Sequence, residues 1–249
     1  MCRVIEDAVI QRALGAALTT GGEFAEIFAE DRLSSSAFFD DGRVEELSSG
    51  RTRGVGVRVV VGESTGFAHT ADLSESGLVA AAQAAASAAR GGGAGVRAVA
   101  LDRQEVAAPN AVTTPPEDVA KGTKVGLLTR ADEAARAVGG SITQVSARYA
   151  DSRRRILVAN SDGLLTGDDQ VKTLFSVGCV ASGDTGMQTG RESVGRTIGF
   201  ELFDEVTVED LARRAADRAL LKLSARPAPS GTMPVVIGHG GGGVLFLSL

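Results

Sequence analysis

The chain has 249 residues, 43% of them hydrophobic, 23% charged and only 4% aromatic, with a net charge of −5. This is an ordinary soluble globular composition, with apolar material for one large core or two smaller ones. The acidic balance argues against direct nucleic-acid binding, which needs clustered Lys and Arg; no apolar run is long enough to span a membrane; and Cys2 and Cys179 lie too far apart for a disulfide framework or a metal-ligand spacing.

The N-terminus becomes charged almost at once, at Arg3, Glu6 and Asp7, and lacks the apolar stretch of a signal peptide, so the expected compartment is the cytoplasm. A first helix follows, with Ile10, Ala13, Leu14 and Ala17 at helical spacing. Strand-like runs come next at residues 24–29, 35–39 and 55–61, and an alanine-rich helix over 74–90 closes the block, with Ser74 as its N-cap. The stretch 91–122 opens on Gly91-Gly92-Gly93 and holds Pro109, Pro115 and Pro116, which marks a linker.

A second block repeats the first. A helix is predicted over 125–138, strands over 142–149, 156–159, 174–181 and 188–198, and a last helix places Val208, Leu211, Ala212, Ala215 and Ala219 on one face. Arg153-Arg154-Arg155 reads as a solvated strand start. Asp40-Asp41-Gly42 answers Ser161-Asp162-Gly163 as a hairpin signal, and Gly62-Glu63-Ser64-Thr65-Gly66 answers Gly183-Asp184-Thr185-Gly186. Thr207-x-x-Asp210 resembles a capping box. The pattern predicts an α+β fold with mainly antiparallel sheet, built as helix, β-meander and helix twice over. The divisions are 1–90, a linker at 91–122, 123–224, and a second linker with the start of a further domain at 225–249.

Few residues suggest chemistry. Gly62-x-Ser64-x-Gly66 fits a nucleophile elbow, but a β run rather than a helix follows it, so it reads as a turn. His69 lies in a strand-like run without a neighbouring ligand and reads as an ordinary histidine. Gly238-His239-Gly240-Gly241-Gly242-Gly243 follows a strand-like run at 233–237 and resembles a phosphate cradle. It lacks the Lys-Ser/Thr of a Walker loop, and its glycines read instead as a place of close backbone approach. The acidic pairs Glu45-Glu46, Asp168-Asp169 and Glu209-Asp210 read as solvated or capping residues.

An ordered set of segments resembles the TldD/PmbA family. These are Ala25-Glu26-Ile27-Phe28-Ala29-Glu30, the hairpin from Asp40 to Glu46, Arg53-Gly54-Val55-Gly56-Val57-Arg58, Gly66-Phe67-Ala68, Ala159-Asn160-Ser161-Asp162-Gly163, Arg191-Glu192, and the Pro229 to Ile237 stretch followed by Gly243-Val244-Leu245-Phe246. The resemblance implies a zinc metallopeptidase that cleaves small or unfolded peptides inside a dimer cavity, as a homodimer or as a heterodimer with a TldD/PmbA-type subunit. It also implies that a helix bearing His-Glu-x-x-x-His should begin near Phe246, where two histidines one turn apart hold zinc and the glutamate acts as general base. The sequence ends at Leu249, before that motif. Carried over residue by residue, the resemblance therefore assigns no catalytic, cofactor-binding or metal residue here. It implies a truncated, inactive portion, or a non-catalytic interaction subunit, and a poorly packed apolar tail from Thr232 onward.

Overall fold

The computed structural model describes residues 5–89, 98–107, 111–184, 186–238 and 241–247. Helix α1 (Asp7–Ala17) leads into a meander of β1 (Phe24–Asp40), β2 (Arg43–Val61) and β3 (Ser64–Thr70), which α2 (Glu75–Ala89) closes. A short β4 (Asp102–Glu105) and a 3-10 turn (Pro116–Asp118) precede the second series. That series is α3 (Lys121–Arg136), β5 (Ile142–Asn160), β6 (Leu164–Gly183), β7 (Gly186–Arg196), a one-turn α4 (Leu202–Glu205) and α5 (Val208–Leu223). A seven-residue α6 (Gly241–Leu247) comes last. The duplicated α+β order read from the sequence is present.

The seven strands form one sheet in the order β3-β2-β1-β5-β6, with β4 and β7 both bonded to β6. The two meanders join through β1 and β5, antiparallel from Glu26 opposite Asn160 to Asp40 opposite Ser146. Hairpin chemistry sets the order. Asp41 and Gly42 both take positive φ, 46° and 84°, as a tight two-residue turn demands. In the matching turn Asn160 Oδ1 accepts the amides of Asp162 and Leu164, while Ser161 Oγ accepts the amide of Ala25 and stitches the second unit to the first.

Side chains alternate along a strand, so residues two apart share a face. Ala25, Ile27, Ala29, Ala37 and Phe39 of β1 are all buried and all face the helices. Both helix pairs thus lie on one side of the sheet, over its opposite ends. One core joins α1 and α2 to Val55, Val57 and Val59 of β2, and also takes Leu157, Ala159 and Leu165 from the second unit. The other joins α3 and α5 to Val145, Tyr149, Phe175 and Val177, and takes Ala37 and Phe39 from the first.

Two glycines let the helices sit this close. A Cβ at Gly66 in β3 would meet the Ala85 carbonyl oxygen of α2 at 1.9 Å, and one at Gly190 in β7 would meet the Ala215 carbonyl oxygen of α5 at 2.0 Å. The two contacts are the same contact made twice. Gly66, expected in a turn motif, is a packing residue within a strand.

Several elements differ from expectation. The runs at 24–29 and 35–39 are one 17-residue strand, and those at 142–149 and 156–159 are one 19-residue strand. Their polar middles stay in the sheet because neighbouring strands satisfy both the backbone and the charges. Arg153-Arg154-Arg155 is therefore mid-strand and ion-paired, not a solvated strand start. Ser74 caps α2 by accepting the Gly77 amide, whereas Thr207 bonds the Asp210 carboxylate and leaves the backbone of α5 uncapped. Residues 233–237 form no strand; Val235 and Val236 are exposed, since Pro234 removes a donor and no described strand lies beside them.

Candidate functional site

The helix pairs leave a gap over the middle of the sheet, and a cleft of about 290 Å³ lies there. Ser35 of β1, Asp151 of β5 and Lys124 from the first turn of α3 meet at its base. Lys124 Nζ donates to Asp151 Oδ2 at 2.6 Å and to Ser35 Oγ at 2.8 Å, and Ser35 Oγ donates to the same Asp151 oxygen at 2.5 Å. The Lys124 and Asp151 side chains are 6% and 7% exposed, so this is a buried ion pair. The Tyr149 ring lies 5.2 Å below the lysine. Burial, and then the Asp151 carboxylate, drive the Tyr149 hydroxyl far above its ordinary pKa. A lysine so engaged ties the two units together, since a buried charge must be paired to be tolerated.

A second layer of charge lies beside it. Arg153 donates to Glu117 of the 3-10 turn at 2.7 Å and makes a two-pronged bond to Asp169 of β6. Burial opposes ionising Asp169, but the Arg153 guanidinium overrides it and holds the carboxyl below its ordinary value. Asp31 accepts two bonds from Arg51, which hold its carboxyl low as well. The polar mid-sections of β1, β5 and β6 thus form one network on the helix side of the sheet. The cleft is also lined by Val119, by Lys121 at the start of α3, and by Ser49 and Gly50 of β2.

The residues singled out in the sequence lie elsewhere. His69 in β3 stacks on Phe67, centroids 6.2 Å apart, on the face of the sheet without helices. His239 and Cys2 fall outside the described residues. Ser64 begins β3, so no elbow forms. Glu45 and Glu46 are exposed on β2 where its register with β1 shifts. Asp169 belongs to the arginine network, and Glu209 and Asp210 pair with Arg130 and Arg213. Cys179 is buried in the second core with its thiol pushed up to about 11 by burial. The cluster of Ser35, Lys124 and Asp151 was not foreseen. Its one sequence signal is α3 itself, whose first turn holds two lysines and no acid, the reverse of what the helix dipole favours.

Comparison with known proteins follows the same two units. The PmbA/TldA metallopeptidase domain 1 profile matches residues 25–89, and the PmbA/TldA metallopeptidase central domain profile matches residues 114–223. The chain belongs to the TldD/PmbA family. A metalloprotease of Methanothermobacter thermautotrophicus is 33% identical over 216 residues, 86% of this chain and 46% of that protein. The metalloprotease TldD homolog of Haemophilus influenzae is 32% identical over 230 residues, 90% of this chain and 48% of that protein. The chain spans about half the length of the curated relatives it matches. Among solved structures, a Thermotoga maritima protein described as a candidate modulator of a DNA gyrase superposes with a TM-score of 0.75 at 16% identity, over 90% of this chain and 50% of its own. TldE of Thermococcus kodakarensis superposes at 0.66 and 15% identity, over 85% and 47%. These two likenesses are of fold.

The family name implies a metal. Among the described residues of this TldD/PmbA chain, no group of three His, Cys, Asp or Glu side chains could hold one. The carboxylates that do cluster, Asp31, Asp151, Asp169 and Glu117, are each neutralised by Arg or Lys. These residues do not fit a catalytic zinc. Among the described residues no helix is long and apolar enough to cross a membrane.

Proposed function

We propose that this chain is the N-terminal, substrate-shaping part of a TldD-like metallopeptidase acting on small or unfolded peptides, and that it does not hydrolyse peptides alone. The observation that carries the reading is the pairing of family membership across both units with carboxylates already neutralised by cations. In this reading zinc and its ligands belong to the part of the relatives that the chain does not match. The working partner is a second TldD/PmbA-type subunit, as a homodimer or heterodimer, with no direct role for nucleic acid. The proposed divisions remain 1–90, 91–122, 123–224 and 225–249, in a cytoplasmic protein whose Cys179 is a free thiol.

Zinc analysis and a peptide-hydrolysis assay test the proposal on the purified chain. It is expected to hold no stoichiometric zinc and to leave unstructured peptides uncut; metal-dependent cleavage by the pure chain would overturn it. A second reading, a non-catalytic interaction subunit, is favoured by the outer edge of β2, where no described strand pairs with residues 43–54. Co-elution with a full-length TldD/PmbA-type subunit without any gain in that subunit's peptidase activity would favour this second reading over the first.

A further inference from the structure

The face of the sheet away from the helices carries two adjoining pockets. Side chains alternate along a strand, so Phe28, Glu30 and Arg32 of β1, Ser152 and Arg154 of β5, and Gln170 and Lys172 of β6 all point to this face. The first pocket, of about 530 Å³, is apolar. In the pairing register Gly56 lies between Phe28 of β1 and His69 of β3, and so leaves a gap between two rings. Phe67 leans over that glycine, since a Cβ at Gly56 would meet its ring at 3.1 Å. Phe28 and Phe67 are nevertheless 41% and 61% exposed. Exposed rings beside a glycine floor form a surface on which a flat ring can stack.

The second pocket, of about 210 Å³, is lined by Glu30, Arg32, Ser152, Arg154, Gln170 and Lys172. Arg32 stands directly opposite Arg154, and Lys172 directly opposite Ser152. Like charges directly across a strand pair destabilise a sheet, and these sit in a chain whose net charge is −5. Of the three cations only Arg154 has a carboxylate partner among the described residues, Glu30 at 2.6 Å. Asp168, next along β6 on the same face, is bonded to the Gln170 side chain and to the Asp169 amide. Two guanidinium groups and an ammonium around one small cavity suit a multiply charged oxyanion, which each guanidinium can grip with two parallel bonds.

Glu30 lines both pockets. Phe28 and Arg32 are four residues apart on β1, about 13 Å by the rise of a strand. That is comparable to the span from the base to the last phosphate of an extended nucleoside triphosphate. We propose that this face binds a nucleoside triphosphate, its base on Phe28 and Phe67 and its phosphates among Arg32, Arg154 and Lys172. Glu30 then stands between the two, at the ribose. The site goes beyond the peptidase reading and does not depend on it.

Isothermal titration calorimetry on the full chain tests this, with ATP, adenosine and inorganic triphosphate as separate probes. ATP is expected to bind at least tenfold more tightly than either part alone. Arg32→Glu and Lys172→Glu, both at exposed positions, should each weaken ATP binding about tenfold without lowering the denaturation midpoint. Phe67→Ala should weaken ATP about fivefold and leave triphosphate binding unchanged. Absence of ATP binding, triphosphate bound as tightly as ATP, or ATP binding indifferent to all three variants would overturn the proposal. So would a short peptide of phenylalanine and glutamate that competes with ATP on equal terms, which would make the face a docking surface for acidic protein segments. No peptide hydrolysis is read, so failure here leaves the peptidase proposal standing, and failure of that proposal leaves this result intact.

Discussion

The two units repeat one another at the contacts that set their shape and diverge where they meet solvent or one another. Gly66 against Ala85 and Gly190 against Ala215 are the same helix-on-strand contact. The cores above them differ. The first is packed from Ile, Leu, Val and Ala, whereas the second adds Phe39, Tyr149, Phe175 and Cys179. The edges differ more, since among the described residues β4 covers the start of β6 and no strand covers the start of β2. A duplicated fold is constrained where backbone meets backbone, because no side-chain rearrangement relieves that contact. Core composition and edges drift because other side chains can compensate.

The glycines offer the sharpest way to break this comparison. Gly66→Ala and Gly190→Ala each drive a methyl group into helix backbone, and each should cost more than about 3 kcal/mol or abolish folding, which chemical denaturation would measure. If one is tolerated, the units are not equivalent at that contact. Next comes the seam. Lys124→Ala strands Asp151 and should cost about 3 kcal/mol, while Lys124→Met with Asp151→Leu should recover most of it. Equal losses in the single and double variants would show that the pair contributes mainly through packing.

Alkaline titration separates the two cores. The folded Cys179 thiol ionises near 11, above the ordinary value of 9.0, so its contribution is complete below about pH 9 and is lost as pH rises through about 11. The loss should approach about 3 kcal/mol, by about 1.4 kcal/mol for each unit of displacement; the part that sets in between about pH 9 and 10 should be absent in Cys179→Ala, while Tyr149, whose hydroxyl is also held above its ordinary value, continues the loss at higher pH. An unchanged onset near pH 9 in that variant would point to a group other than Cys179. The smallest effect lies on the surface. The Arg58–Glu26 and Arg12–Glu75 pairs are roughly half exposed, and Arg58→Ala or Arg12→Ala should shift stability by no more than about 0.5 kcal/mol.

Much of the architecture was legible in the residues. The hairpin at Asp41-Gly42 and the turn at Gly163 announce themselves through glycine, and the helix faces through alanine spacing. The mid-strand breaks predicted at residues 30–34 and 150–155 were absent because periodicity treats charge as a sign of solvent. Here Asp31, Arg153 and Arg155 pair across strands, and Asp151 pairs with Lys124 of α3, beneath a gap between helices. The cluster of Ser35, Lys124 and Asp151 joins residues 27 to 116 positions apart, so no local pattern could announce it.

The interlocked cores carry a further consequence. Ala37 and Phe39 of the first unit are buried in the second core, and Leu157, Ala159 and Leu165 of the second are buried in the first. Each unit closes the other, so a protease nick between α2 and α3 should yield two pieces that travel together under native conditions. Synthesised separately, neither piece should fold until it meets its complement.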